Sequence, residues 1–203
     1  MKIIGITGGV GAGKSRILKH IKENYNARIL LADEAANEIK LRGRECYEPL
    51  VRLLGTEVLG RDLEIDRGRM ARIIFSDKEK LSAVNAILHP AVRRFILQSI
   101  EEEKQKNEVD YFVLEAALLI EEHYDEIVDE LWYIYADEAT RSKRLKDSRG
   151  YSEEKIHAIM AGQLCDEEFR ASCQVVIDNS KTVEEACRQV DERLDHIKEV
   201  CRQ

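Results

Sequence analysis

Residues 3–15 read Ile-Ile-Gly-Ile-Thr-Gly-Gly-Val-Gly-Ala-Gly-Lys-Ser, and Gly8, Gly13, Lys14 and Ser15 fit the pattern G-x-x-x-x-G-K-[ST]. Ile3, Ile4 and Ile6 make an apolar run before the glycines, and Ile17, Leu18 and Ile21 recur at helical spacing after them. The local order is therefore strand, loop, helix, the setting in which such a loop binds phosphate. Glycines let the backbone come close and take positive φ, so several N–H groups converge on phosphate oxygens at the positive end of the helix dipole. Lys14 then acts as a point charge for the β and γ phosphates, and the Ser15 hydroxyl as a magnesium ligand. A flexible glycine turn is the plain alternative; the flanking strand and helix count against it.

A chain of 203 residues, 44% hydrophobic, is long enough to bury roughly 70% of its unfolded surface around one core. Its net charge of -7 argues against a general nucleic-acid or membrane-surface binder, which needs a basic face. Anion binding must be local. Cys46, Cys165, Cys173, Cys187 and Cys201 show no C-x-x-C spacing, so reduced and mostly packed thiols are expected. With no cleavable apolar leader and no run long enough to span a bilayer, the expected location is the cytoplasm.

Working outward, residues 28–32 (Arg-Ile-Leu-Leu-Ala) suit a buried parallel strand that ends at Asp33. Ligands of open α/β sheets sit beyond the carboxyl ends of the strands, which puts Asp33 on the rim of the phosphate loop. A carboxylate there takes a proton from an attacking hydroxyl or holds a magnesium water. The competing reading is an N-cap for a helix over 34–40. Residues 41–106 have helical periodicity without a convincing strand, interrupted by Gly43, Gly55, Gly60, Pro49 and Pro90, and read as a helical insertion that closes over a second substrate. Within it, Ser76-Asp77-Lys78-Glu79 has capping-box spacing, and an apolar face of Leu81, Val84 and Leu88 pauses at His89-Pro90. Arg67, Arg69, Arg72, Arg93 and Arg94 are concentrated here, either to pair with an acidic substrate or as an ordinary solvated face.

Residues 111–114 (Tyr-Phe-Val-Leu) form a third strand closed by Glu115, the arrangement of a Walker B acid; Glu115 either holds a magnesium water or is structural. A fourth strand at 131–135 carries Trp132 as a core residue. Residues 137–150 are the most basic stretch, with Arg141 and Arg144 on one helix face, and a second helix follows over 152–164. Two helices between strands four and five, the first of them arginine-bearing, predict a mobile lid over 137–171 that brings charge to the transferred phosphoryl, against a solvated face. A fifth strand at 174–177 ends at Asp178-Asn179, where Asn179 either contacts an adenine edge or closes a tight turn. Thr182-x-x-Glu185 caps a last helix with Val183, Ala186, Val190, Leu194, Ile197 and Cys201 on its apolar face.

Taken together, residues 5–15, Ala32-Asp33, Ile65-Asp66-Arg67, Asn85 through His89-Pro90, Leu118-Leu119-Ile120-Glu121, Arg144-Leu145, Gln163 and Val176-Ile177-Asp178-Asn179 make the chain similar to the dephospho-coenzyme A kinases. The resemblance runs nearly end to end. It implies an α/β, three-layer P-loop NTPase fold with a five-stranded parallel sheet, a helical coenzyme A-binding insertion over 41–106 and a helical lid, the core being 1–40, 107–136 and 172–203. It implies ATP and Mg2+, and transfer of a phosphoryl group to the ribose 3'-hydroxyl of dephospho-coenzyme A. By resemblance, Asp33 is the base, assisted by Lys14 and Arg144. ATP contacts fall at Gly8, Gly9, Gly11, Ala12, Gly13, Lys14, Ser15, Arg16, Arg141 and Asn179, acceptor contacts at Asp33, His89, Leu118 and Glu121, and metal contacts at Ser15 and Glu115. Leu31, Ala117, Ser148 and Ile159 stand where the family commonly has Asp, Pro, Arg and Arg.

The expected partners are small molecules, with no nucleic acid or membrane, in a monomer or weak homo-oligomer. A kinase for another acceptor, such as a nucleoside monophosphate, differs only in what the insertion binds. A GTPase switch normally carries N/T-K-x-D, and no Asn-Lys or Thr-Lys pair occurs in the chain.

Overall fold

The computed structural model describes residues 1–200; Cys201, assigned above to the last helix, lies outside them. Its strands are β1 (Lys2–Thr7), β2 (Ala27–Leu31), β3 (Tyr111–Glu115), β4 (Glu130–Tyr135) and β5 (Val175–Asp178), in one sheet of order β2-β3-β1-β4-β5. The helices are α1 (Lys14–Asn24), α2 (Ala32–Glu38), α3 (Tyr47–Leu54), α4 (Arg67–Phe75), α5 (Lys78–Lys106), α6 (Glu138–Arg149), α7 (Glu153–Ala161), α8 (Asp166–Ser172) and α9 (Val183–Val200). This is the five-stranded parallel α/β fold that the apolar runs predict.

Central β1 runs parallel to β3, with Ile4 opposite Val113, and to β4, with Gly5 opposite Leu131. β4 continues the parallel order into β5, with Ile134 opposite Ile177. Ile3, Ile4 and Ile6 of β1, Tyr111 to Leu114 of β3, and Leu131 to Ile134 of β4 are all buried. Strands covered on both faces need such unbroken apolar runs rather than alternation. Trp132 lies in this core and satisfies its indole N–H on Glu130 at 3.0 Å.

The chain divides into two compact units, residues 1–29 with 107 onward, and residues 30–106. In the first, α9 packs on α1 and β5 and buries Ala186, Val190, Leu194 and Ile197, each larger side chain contributing about 1.5–3 kcal/mol. Thr182 caps this helix through the Glu185 N–H, as the sequence predicts. The basic stretch forms α6, but the second helix ends at Ala161 and a further helix, α8, follows. The lid segment thus holds three helices rather than the two expected: Gly162 ends α7, and the acids Asp166, Glu167 and Glu168 suit a new helix start.

The second unit starts at Leu30, ahead of the insertion expected at 41, and takes in α2. Its long helix α5 packs against α2, α3 and α4. Two expectations are corrected. The helix runs through Pro90 without a break, its buried residues Val84, Ala91, Val92, Ile96 and Ile100 continuing on both sides, so packing offsets the missing backbone donor. The cap is Asp77, whose carboxylate accepts from the Glu79 and Lys80 N–H groups at 3.0 Å, while Ser76 ends α4 and donates back to Arg72 and Ile73 carbonyls. Among the described residues the cysteines are free thiols; burial pushes the Cys173 thiol up to about 12.

Candidate functional site

Gly13 opens α1 in a left-handed conformation at φ 95°, and the helix has no acidic residue in its first turn to compete for its free N–H groups. The loop is held from α6 by two arginines. Arg141 donates through Nε to the Val10 carbonyl at 3.0 Å and through a terminal nitrogen to Gln163 Oε1 at 2.6 Å. Arg144 donates to the Ala12 carbonyl at 3.3 Å and to the Asn179 carbonyl at 2.8 Å. Asn179 is fully buried and its amide also donates to Ala12, at 2.7 Å.

These contacts explain the glycines. A Cβ on Gly9 would lie 2.3 Å from the Arg141 guanidinium, and one on Gly13 would lie 2.2 Å from the Asn179 amide nitrogen. Gly8 and Gly11 also have positive φ and approach Ile134 and Arg141 backbone oxygens. The loop can be this tight only because no side chain projects at its glycines.

Electrostatically the site is a positive enclosure. Burial pulls both guanidinium groups below the usual arginine range, and Arg16 reinforces this for Arg144. Both stay charged. Among the described residues, Arg141 and Arg144 form no ion pair with a carboxylate; their partners are neutral oxygens. Glu138 and Asp137 act on them only at a distance, and half-buried charges with no directly paired carboxylate favour an anion at the loop. Lys14 donates to the Gly8 carbonyl at 2.7 Å and lies 3.5 Å from Glu115 at the end of β3.

Magnesium needs only one or two protein oxygens beside phosphates and waters. The Ser15 hydroxyl in the first turn of α1 and the Glu115 carboxylate at the end of β3 are oxygen donors of that kind.

Arg141 and Gln163 also line a cleft of about 610 Å³ with Tyr133, Tyr135, His157 and Met160. No residue of the phosphate loop borders it, so the cradle and this cleft are different places. Leu118 and Glu121, expected at the acceptor, lie in the turns after β3. Leu118 is 50% exposed while Leu119 is fully buried, and the turn closes through Glu122 N–H to Leu118 and Tyr124 N–H to Leu119. It forms with Ala117 in place of the family's usual proline.

In the second unit, Asp33 stands in the first turn of α2, whose cap position is Leu31 with no side-chain bond. Asp33 is therefore not the N-cap. Lys40, pulled down by burial and by the charge of Arg67, is drawn back up by Asp33, so one acid sits amid two cations. Arg69, Arg72 and Arg94 are taken up locally, by the Leu59 carbonyl, the Gly68 carbonyl and the Glu45 carboxylate. His89 lies within α5.

Sequence reasoning left two of these residues without a role. Gln163 entered only through the resemblance, and its spacing from Val10 gives no hint of contact. Lys40 lies in the turn after α2, so no helical spacing links it to Asp33.

The dephospho-CoA kinase family matches residues 2–185. A curated dephospho-CoA kinase of Streptococcus mutans is 35% identical over 193 residues, covering 95% of this chain and 96% of that one. A solved structure from Thermus thermophilus is 31% identical with a TM-score of 0.78, covering 96% of this chain and 97% of that one. The dephospho-CoA kinase of Campylobacter jejuni, 21% identical, shares the fold at a TM-score of 0.73 over 97% and 98% of the two chains.

Proposed function

The chain belongs to the dephospho-CoA kinase family, which uses ATP to phosphorylate dephospho-CoA in the last step of CoA biosynthesis, and we propose how its own residues divide that work. The observation that carries the reading is the pair Arg141 and Arg144, charged, half-buried and bonded only to neutral oxygens over the phosphate loop. The triphosphate of ATP supplies the missing negative charge. Gly8, Gly9, Gly11, Ala12 and Gly13 form the cradle, and the N–H groups of Lys14, Ser15 and Arg16 open the helix towards it.

Phosphoryl transfer asks the protein mainly for alignment and charge. Lys14 balances the β and γ oxygens, and Arg144 and Arg141 stabilise the charge that builds on the transferred group. Asn179, whose amide donates to the Ala12 carbonyl, is assigned to the adenine edge. Asp33 takes the proton as the ribose 3'-oxygen bonds to the γ phosphorus and the bond to ADP breaks, a role supported by its freedom from capping. Ser15 and Glu115 are the oxygen donors that would hold magnesium, which when bound would supply charge neutralisation at the phosphates. His89, Leu118 and Glu121 contact the acceptor, and Arg67 and Lys40 add positive charge around Asp33.

A monomer or weak homo-oligomer acting in the cytoplasm on small molecules, without nucleic acid or membrane, fits the charge of -7. No helix among the described residues is long and apolar enough to cross a membrane. The test of the function is an acceptor panel with ATP and magnesium. Dephospho-CoA is expected to be phosphorylated at the 3'-hydroxyl in preference to nucleoside monophosphates; equal turnover of AMP or CMP, or nucleotide hydrolysis indifferent to dephospho-CoA, would reject it.

A further inference from the structure

Two donors from different parts of the chain converge on one uncharged atom. Gln163 Oε1 accepts from the Val10 backbone N–H at 3.2 Å and from the Arg141 guanidinium at 2.6 Å. Arg141 closes the ring by donating from Nε to the carbonyl of the same Val10 at 3.0 Å. Gln163 is itself fixed just past the end of α7 by its N–H on the Met160 carbonyl at 3.2 Å. Both polar ends of residue 10 are thereby tied to the lid, one through a side chain of α6 and the other through the residue following α7.

We infer that Gln163 is a positioning residue: it sets the lid arginine and the Val10 peptide in register over the phosphate loop, and it contributes to transfer only through Arg141. This rests on the reading of Arg141 as a phosphate contact. The chemistry of the amide fits the task. A carboxylate at residue 163 would orient Arg141 equally well but would neutralise it, whereas an amide oxygen fixes the guanidinium and leaves its charge for the phosphoryl group. Arg141 is seated close against Gly9, where a Cβ would be 2.3 Å from the guanidinium, so its action depends on being held in that one place.

The test is a cycle of Arg141→Ala, Gln163→Leu and the double variant, read as kcat/KM with ATP at saturating dephospho-CoA. Gln163→Leu removes both bonds that Oε1 accepts, the charged one from Arg141 and the weaker neutral one from the Val10 N–H, and is expected to cost about 10- to 100-fold, mostly through the charged one. Added to Arg141→Ala, it is expected to cost less than about twofold more, because the residue it positions is gone. Losses that multiply, or wild-type kcat/KM in Gln163→Leu when Arg141→Ala is impaired, overturn the inference and leave the phosphate role of Arg141 standing. Wild-type kcat/KM in Arg141→Ala fails that role itself and the inference with it. Gln163→Glu keeps both acceptor bonds and guards against misfolding of the leucine variant. It should raise KM for ATP about tenfold or more by neutralising Arg141; an unchanged KM overturns the inference.

Discussion

The ammonium of Lys14 lies 3.5 Å from the carboxylate of Glu115 and donates to the Gly8 carbonyl at 2.7 Å. One side chain thus joins the start of α1 to its own loop and to the end of β3. For Lys14→Ala we expect ATP affinity to fall about 10- to 100-fold, as for loss of a charged hydrogen bond, with the far-ultraviolet circular dichroism unchanged. Equilibrium titration with a non-hydrolysable ATP analogue checks it; wild-type affinity contradicts the role.

Glu115 is the acid at the tip of the strand beside β1. As a group that holds a magnesium water, its replacement in Glu115→Gln should raise the magnesium needed for half-maximal activity by about 10- to 100-fold. An unchanged magnesium titration leaves Glu115 a structural acid that steadies Lys14.

Gly13 is a point of strain for any other residue. At φ 95°, with a Cβ destined for 2.2 Å from the Asn179 amide, Gly13→Ala should cost about 1–2 kcal/mol for the left-handed backbone alone. In a chain of this length that lowers Tm by roughly 2–8 °C, and the displaced Asn179 should weaken ATP binding as well. Thermal unfolding with and without ATP reads both effects.

Arg193 of α9 donates to both oxygens of Glu130 on β4, at 3.0 and 2.7 Å. Burial pushes the Glu130 carboxyl up, but the hydrogen bonds from Arg193 and Trp132 and the nearby positive charges outweigh it and hold the group below the usual range. A depressed folded-state pKa stabilises above the unfolded value of about 4.3 and is lost as pH falls through the folded value. Glu130→Gln should therefore cost about 1–3 kcal/mol at pH 7, and the gap from the parent should narrow below about pH 4. Urea unfolding at pH 7 and pH 3.5 checks the sign.

Strands β1, β3 and β4 were legible because each is an unbroken buried apolar run, whereas β2, expected to be buried, buries only Leu30; the loop was legible because its glycines, lysine and serine have a fixed spacing. What periodicity could not supply were choices between neighbours. Ser76 and Asp77 both fit a cap, and the carboxylate prevailed. Pro90 is a breaker by local rule, yet burial on either side carries the helix through it. Helix α8 is only seven residues long, too short for its period to stand out from the loop around it. Gln163 reaches Val10 across 153 positions, and no local pattern encodes a contact at that separation. What was legible for Asp33 was its place at the end of β2; the structure adds that it does not cap α2, and its part in proton transfer is what the proposal assigns.

The most direct measurement is turnover of Asp33→Asn with ATP and dephospho-CoA, alongside its ATP affinity. The substitution keeps size and hydrogen-bonding capacity but cannot accept the proton. We expect kcat to fall by about 10²- to 10⁴-fold while ATP affinity stays within about twofold. Wild-type kcat in that variant would take the proton transfer away from Asp33 and contradict the mechanism at its centre.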